Sequence, residues 1–196
     1  VATTFKLIVG LGNPGRHYAL TRHNAGYWFV DALLGRHGGA WRHESRYQSE
    51  LARTRIAGEE LWLQKPLTNM NGSGVAVAAL ARFRRLEPDS ILVVHDEIDL
   101  PPGTVRLKHD GGHGGHNGLR DVIAHIGAAF WRLRLGVGHP GSKDEVIDYV
   151  LERPRDAERQ LIDVALARAL DAVPQLLSGG AQKAMQALHT RDEPGA

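Results

Sequence analysis

The chain has 196 residues, 24 Lys and Arg against 22 Asp and Glu for a formal net charge of +2, 42% hydrophobic residues and no cysteine. That length fits a single domain, 1–196, large enough to bury its own core, and the missing cysteines exclude a disulfide framework, a thiolate zinc site and a cysteine nucleophile. The near-neutral balance argues against a general nucleic-acid coat, although 19 of the 24 basic residues are Arg, whose planar fork suits phosphate.

Residues 5–9 form a short apolar run halted by Gly10, the pattern of a buried strand. This run is too short for a signal peptide or a spanning helix of ~20 residues, so a soluble cytoplasmic protein is expected. Ala25, Trp28, Phe29, Ala32 and Leu33 recur at helical spacing up to Gly38-Gly39, with Asn24 placed to cap the helix. Residues 47–56 and 61–65 flank Ala57-Gly58-Glu59-Glu60 as a hairpin, so part of the sheet is expected to be antiparallel. Asn71 or Ser73 can cap a helix bearing Val77, Leu80, Ala81 and Phe83. Residues 91–94 are a further buried strand, ending in His95-Asp96-Glu97, where open α/β sheets place ligands. A strand at 104–108 follows the Pro101-Pro102-Gly103 turn, a helix covers 119–126, and Trp131, Leu133, Leu135 and Val137 alternate as a half-buried strand. Apolar residues from Leu161 to Val173 mark a helix that Pro174 is expected to end or kink. The sum is an α/β domain with a central twisted mixed sheet flanked by helices.

Gly10-Leu11-Gly12-Asn13-Pro14-Gly15 spells G-x-G-x-x-G after a strand. A dinucleotide turn also needs a helix starting within the glycines and an acidic residue about 20 positions on, at the end of a second strand. Here Pro14 and the polar stretch through His23 delay the helix, and Asp31 falls inside it. A tight turn accounts for the glycines but not for Asn13 at its apex. His23 projects from the loop before the helix, and only histidine titrates unperturbed near neutrality. Asp96 is its candidate partner, because a carboxylate accepting one imidazole N–H leaves the other nitrogen free to take a proton from water.

His109, His113 and His116, with His95, Asp96, Glu97 and Asp99, leave a metal site open, though no strict ligand spacing such as H-E-x-x-H occurs. Residues 111–118, five of them glycine, read as a loop whose bare backbone can approach a substrate. Asn13, Asn71 and Asn117 each stand at a turn or loop–helix junction, suited either to capping or to gripping a peptide bond or a water. Met70 reads as apolar packing. Arg106 with Lys108, and Arg132 with Arg134, alternate along two strands, so each pair shares a face, either solvated or forming a basic patch for phosphates. Ser73 and Ser142 lack the G-x-S-x-G elbow of a serine hydrolase.

Taken in order, these segments resemble the bacterial peptidyl-tRNA hydrolase family over nearly the whole chain. The resemblance rests on Lys6 through Gly15, Thr21-Arg22-His23-Asn24-Ala25-Gly26, Met70-Asn71, His95-Asp96-Glu97 with Asp99-Leu100-Pro101-Pro102-Gly103, the glycine-rich loop, and Arg132 through Gly141. It implies a monomeric enzyme, with no metal or organic cofactor and no membrane contact, that hydrolyses the ester between a peptide and the 3′-terminal ribose of tRNA. It further implies that His23 is the general base and Asp96 orients it, with Asn13 and Asn71 holding the peptide and the developing oxyanion or the water. Asn117, with His116 beside it, would read the peptide amide or place the water. Tyr18 and Met70 would line the cleft, and Lys108 and Arg134 would meet a tRNA phosphate. Asn69 departs from the aromatic residue the family usually carries before Met70, which leaves the shape of one cleft wall open. Residues 143–151, flanked by glycines, are expected to form a mobile lid.

Overall fold

Leu7, Ile8 and Val9 are fully buried, which is why a continuous apolar run marks the central strand β1 (Leu7–Gly10). The computed structural model describes residues 4–190. After β1 come α1 (Ala25–His37), β2 (Arg42–Glu44), β3 (Ser49–Ile56), β4 (Glu59–Pro66), α2 (Ser73–Arg84), β5 (Ile91–Glu97) and β6 (Val105–His109). The remainder is α3 (Asn117–Ile126), β7 (Trp131–Gly136), α4 (Val146–Val150), α5 (Asp156–Leu177) and α6 (Ala181–Thr190). Among the described residues seven strands form one mixed sheet in the order β2-β3-β4-β1-β5-β7-β6. β4, β1, β5 and β7 are parallel, whereas the β2–β3, β3–β4 and β6–β7 pairs are antiparallel.

α1, α5 and α6 cover one face of the sheet through Phe29, Leu33, Ile162, Leu166, Val173 and Leu188. α2 and α3 cover the other through Val77, Leu80, Leu119 and Val122. The chain therefore leaves β1 toward one face and β4 toward the other, and the C-terminal ends of such neighbouring strands are where open α/β sheets form a ligand crevice. Every functional candidate from the β1, β4 and β5 ends is delivered there. Among the described residues no helix is long and apolar enough to cross a membrane.

Gly10 and Gly12 of the G-x-G-x-x-G spelling have a packing role, whereas Gly15 serves a left-handed turn with open space around it. A Cβ on Gly10 would run into the Gly26 carbonyl, and a Cβ on Gly26 would meet the Val94 carbonyl and the Leu11 backbone, so α1 lies against β1 only because both positions are bare. Gly26→Ala is expected to cost about 1–3 kcal/mol of stability, the usual penalty for overpacking, and a urea melt with unchanged slope would measure it.

Several local expectations are corrected. Asn24 occupies the cap position of α1 without a capping bond. α2 is preceded by Gly72, and Ser73 Oγ donates back to the Met70 carbonyl rather than capping. The Gly74 N–H at the start of α2 is instead satisfied by Asp121 Oδ2 of α3, at 2.7 Å, a partner 47 residues away that no local pattern announces. α5 runs through Pro174 to Leu177 because Val173, Leu176 and Leu177 are buried in the core, which outweighs the one helical hydrogen bond a proline forfeits. β7 is buried throughout except at Arg134, which is half-buried, and Arg132 is among its buried residues.

Candidate active site

His23 lies in the single 3-10 turn Arg22–Asn24 that leads into α1. Its Nδ1 is 2.9 and 3.1 Å from the two carboxylate oxygens of Asp96, near the end of β5. Only 12% of the His23 side chain and 1% of the Asp96 side chain is exposed. Because a carboxylate only accepts, Nδ1 carries the proton, and neutral His23 keeps its lone pair on Nε2. Nε2 makes no hydrogen bond to the described residues. Burial works against the imidazolium, but the Asp96 charge and hydrogen bond more than offset it, so the His23 pKa is raised above 6.5.

Asp96 Oδ1 also faces His116 Nε2 at 2.8 Å. The other His116 nitrogen, Nδ1, accepts the Leu119 N–H at 3.2 Å and thereby caps α3, which leaves the proton on Nε2 for Asp96. One carboxylate thus accepts from two imidazoles. Burial pushes the Asp96 carboxyl up, yet the two histidines hold it well below the usual carboxylate range. Both ring nitrogens of His116 are thus engaged within the chain. His95, at the preceding position of β5, donates Nδ1–H to the Asp96 carbonyl at 2.8 Å. Burial and the nearby His116 press the His95 pKa down to about 3, so this ring is neutral.

Asn13 stands on the β1 loop, nearly buried. Asn24 clamps its backbone: Asn24 Oδ1 accepts the Asn13 N–H and Asn24 Nδ2 donates to the Asn13 carbonyl, both at 2.9 Å. Asn13 Oδ1 accepts the Met70 N–H at 2.8 Å, so the carboxamide is locked with its NH2 group left to donate. Asn24 is therefore a positioning residue that its helix-cap setting concealed.

Asn71, exposed just before α2, and Asn117, half-buried at the start of α3, make no side-chain hydrogen bond among the described residues. Tyr18 is half-buried, its ring edge-on to His17 with centroids 5.0 Å apart. Met70 is 3% exposed and packs with Leu11, Leu119 and Val122, and its backbone N–H is given to Asn13.

Lys108 and Arg132 are opposite partners in the β6–β7 pair, as are Arg106 and Arg134. They differ sharply in setting. Lys108 is exposed beside the glycine-rich loop, where a Cβ on Gly111 would come within 2.9 Å of its Nζ. Arg134 is half-buried and its Nε is 2.8 Å from Glu97 Oε1. Arg132 is buried, giving its fork to the Ala128, Phe130 and Gly111 carbonyls at 3.0, 2.7 and 2.6 Å and resting on the Phe130 ring. Its role is to tie the loop down, not to join a surface patch.

Among the described residues, His23, Asp96 and His116 form the group able to offer ligand atoms to a metal, all within 4.8 Å of one another. Those same atoms already satisfy one another as hydrogen-bond donors and acceptor. His109 and His113 do not join them: the His109 ring lies against Trp131, 4.8 Å between centroids, and His113 Nδ1 accepts the Gly115 N–H.

A family model described as peptidyl-tRNA hydrolase matches residues 7–195. The peptidyl-tRNA hydrolase of Alkalilimnicola ehrlichii is 56% identical over 188 residues, 95% of each chain. That of Nitrosospira multiformis is 53% identical over 189 residues, 96% of this chain and 99% of its own. The crystal structure of the Acinetobacter baumannii peptidyl-tRNA hydrolase superposes with a TM-score of 0.94 at 45% identity, covering 96% of both chains. With a family match over nearly its full length, relatives above half identity and a shared fold, the chain belongs to the peptidyl-tRNA hydrolase family.

Proposed function

We propose that the chain hydrolyses the ester joining a peptide, or an N-acylated amino acid, to the 3′-terminal ribose of tRNA, with His23 as general base and Asp96 as its orienting anion. The observation that carries the reading is the anchoring of His23 Nδ1 on a buried carboxylate, which leaves Nε2 as a solvent-reachable lone pair. A water on Nε2 loses a proton to the ring as its oxygen attacks the ester carbonyl. The imidazolium so formed faces Asp96 directly. Asn13, its NH2 already aimed by Met70, donates to the oxyanion of the tetrahedral intermediate. Collapse expels the ribose oxygen, which takes the proton back from Nε2 and restores the neutral base. An alkoxide with an adjacent hydroxyl leaves readily enough that water alone serves as nucleophile and no acyl-enzyme is needed.

Asn71 and Asn117, whose carboxamides are uncommitted, hold the peptide or the water, and Tyr18 supplies a wall. Lys108 meets an acceptor-stem phosphate, and Arg134, steadied by Glu97, does so through its remaining N–H groups. The enzyme acts as a monomer in the cytoplasm, where translation supplies its substrate.

The purified chain is expected to release N-acetyl-amino acid from its tRNA and to keep doing so after dialysis against EDTA. No release would sink the reading; activity lost to the chelator and restored by zinc would reassign His23, Asp96 and His116 to a metal. Lys108→Ala is expected to raise KM for tRNA substrates several-fold. It should also make log KM less steep in log salt by about 0.7–0.9, the share of one phosphate, and leave a short ester substrate unaffected. An unchanged salt slope would remove Lys108 from the phosphate site.

A further inference from the structure

Arg22 is buried beside His23, yet nothing in the chemistry above uses it. Its Nη1 donates to the Tyr149 carbonyl of α4 at 2.8 Å, its Nη2 lies 3.4 Å from Glu158 Oε1 of α5, and its guanidinium sits 3.8 Å from the centre of the Tyr149 ring. Its backbone N–H donates to the Glu152 carbonyl at 3.0 Å. Tyr149, within the 143–151 segment expected from sequence to be a mobile lid, is itself tied to the end of β7, its hydroxyl donating to the Val137 carbonyl at 2.8 Å. A buried guanidinium is costly, the more so because the Arg22 Nε has no partner among the described residues, and an apolar side chain would fill the same space more cheaply. What an apolar residue does not supply is direction. A planar fork bonded to two elements and stacked on the Tyr149 ring of one of them sets orientation as well as distance.

His23 needs that direction. Its turn is a three-residue 3-10 segment, a weak structure on its own, and Asn24 anchors only the following side, to Asn13. We propose that Arg22 is a positioning residue for catalysis, the second anchor of the turn, which locks it to α4 and α5 so that His23 stays aligned on Asp96. The proposal rests on the reading of His23 as the base.

Arg22→Met and Arg22→Lys test it, each assayed on N-acetyl-aminoacyl-tRNA and by nitrogen-edited NMR titration of the His23 ring. Arg22→Met is expected to lower kcat about 10–100-fold, the effect of displacing a reacting group by about 1 Å, with KM within about twofold of the parent. The His23 titration should move down toward 6.5 as the bond to Asp96 loosens. Arg22→Lys, which keeps the charge but not the fork, should fall between Arg22→Met and the parent. Glu158→Gln, a change at a half-buried site, should move both readouts in the same direction by less, and it stands in if Arg22→Met does not fold. An unchanged His23 titration, or a rise in KM with kcat held, would overturn the proposal. Full turnover by His23→Ala would remove the base reading instead, without touching the NMR result, which follows the His23–Asp96 pair directly.

Discussion

Replacing His23 by alanine is expected to lower kcat on N-acetyl-aminoacyl-tRNA by about 10²–10⁴-fold, the range a positioned general base contributes, with KM nearly unchanged. The side chain is only 12% exposed and, among the described residues, hydrogen-bonds to Asp96 alone, so its loss removes the proton acceptor without disturbing a phosphate or peptide contact. The pH dependence has a definite sign. Only neutral His23 accepts a proton, so kcat/KM falls as pH drops through the His23 pKa, and that acid limb lies above the ordinary 6.5. Stopped-time assays from pH 5 to 9 would show it; an acid limb below 6.5 would contradict the Asp96 coupling.

Asp96→Asn is expected to be comparably severe, about 10²–10⁴-fold in kcat. The carboxylate accepts from His23 and His116 at once. A carboxamide has one accepting oxygen and one donating nitrogen, so it satisfies only one of two N–H groups. His116 is held to its tautomer by the Leu119 N–H, so the frustration falls on His23, which must turn away or move its proton onto Nε2. Either outcome removes the lone pair from the reacting water. Residual activity should titrate lower than in the parent, because the anion that raised the His23 pKa is gone. An unshifted acid limb would place the raised pKa elsewhere.

The strands that build the crevice were readable because burial on both sides leaves an unmistakable mark, as at Leu7–Gly10 and at the apolar start of Ile91–Glu97. β2 left none: Arg42, His43 and Glu44 are all exposed, so its pairing with β3 is visible only in space. The His23–Asp96 pair followed from two polar residues at predicted loop and strand ends. The residues that hold the pair did not. Asn24, Arg22 and Arg132 each sit in a local setting with a cheaper explanation, a helix cap for the first and strand or turn polarity for the others. Each has a partner distant in sequence: Asn13 for Asn24, 11 residues away, Glu158 for Arg22, 136 away, and Gly111 for Arg132, 21 away. Local pattern reports which groups a residue carries, whereas tertiary contact decides which of them remain available.

The bonds from Met70 and Asn13 into side-chain carboxamides place two loop amides among protected groups. Both should exchange with deuterium at rates approaching those of β1 and β5, slowly for segments outside regular structure. The ordering of this part of the cleft is completed during folding. On the proposed reading, an arriving ester then meets an Asn13 donor that needs no rearrangement, and its binding energy is left for orienting the scissile bond.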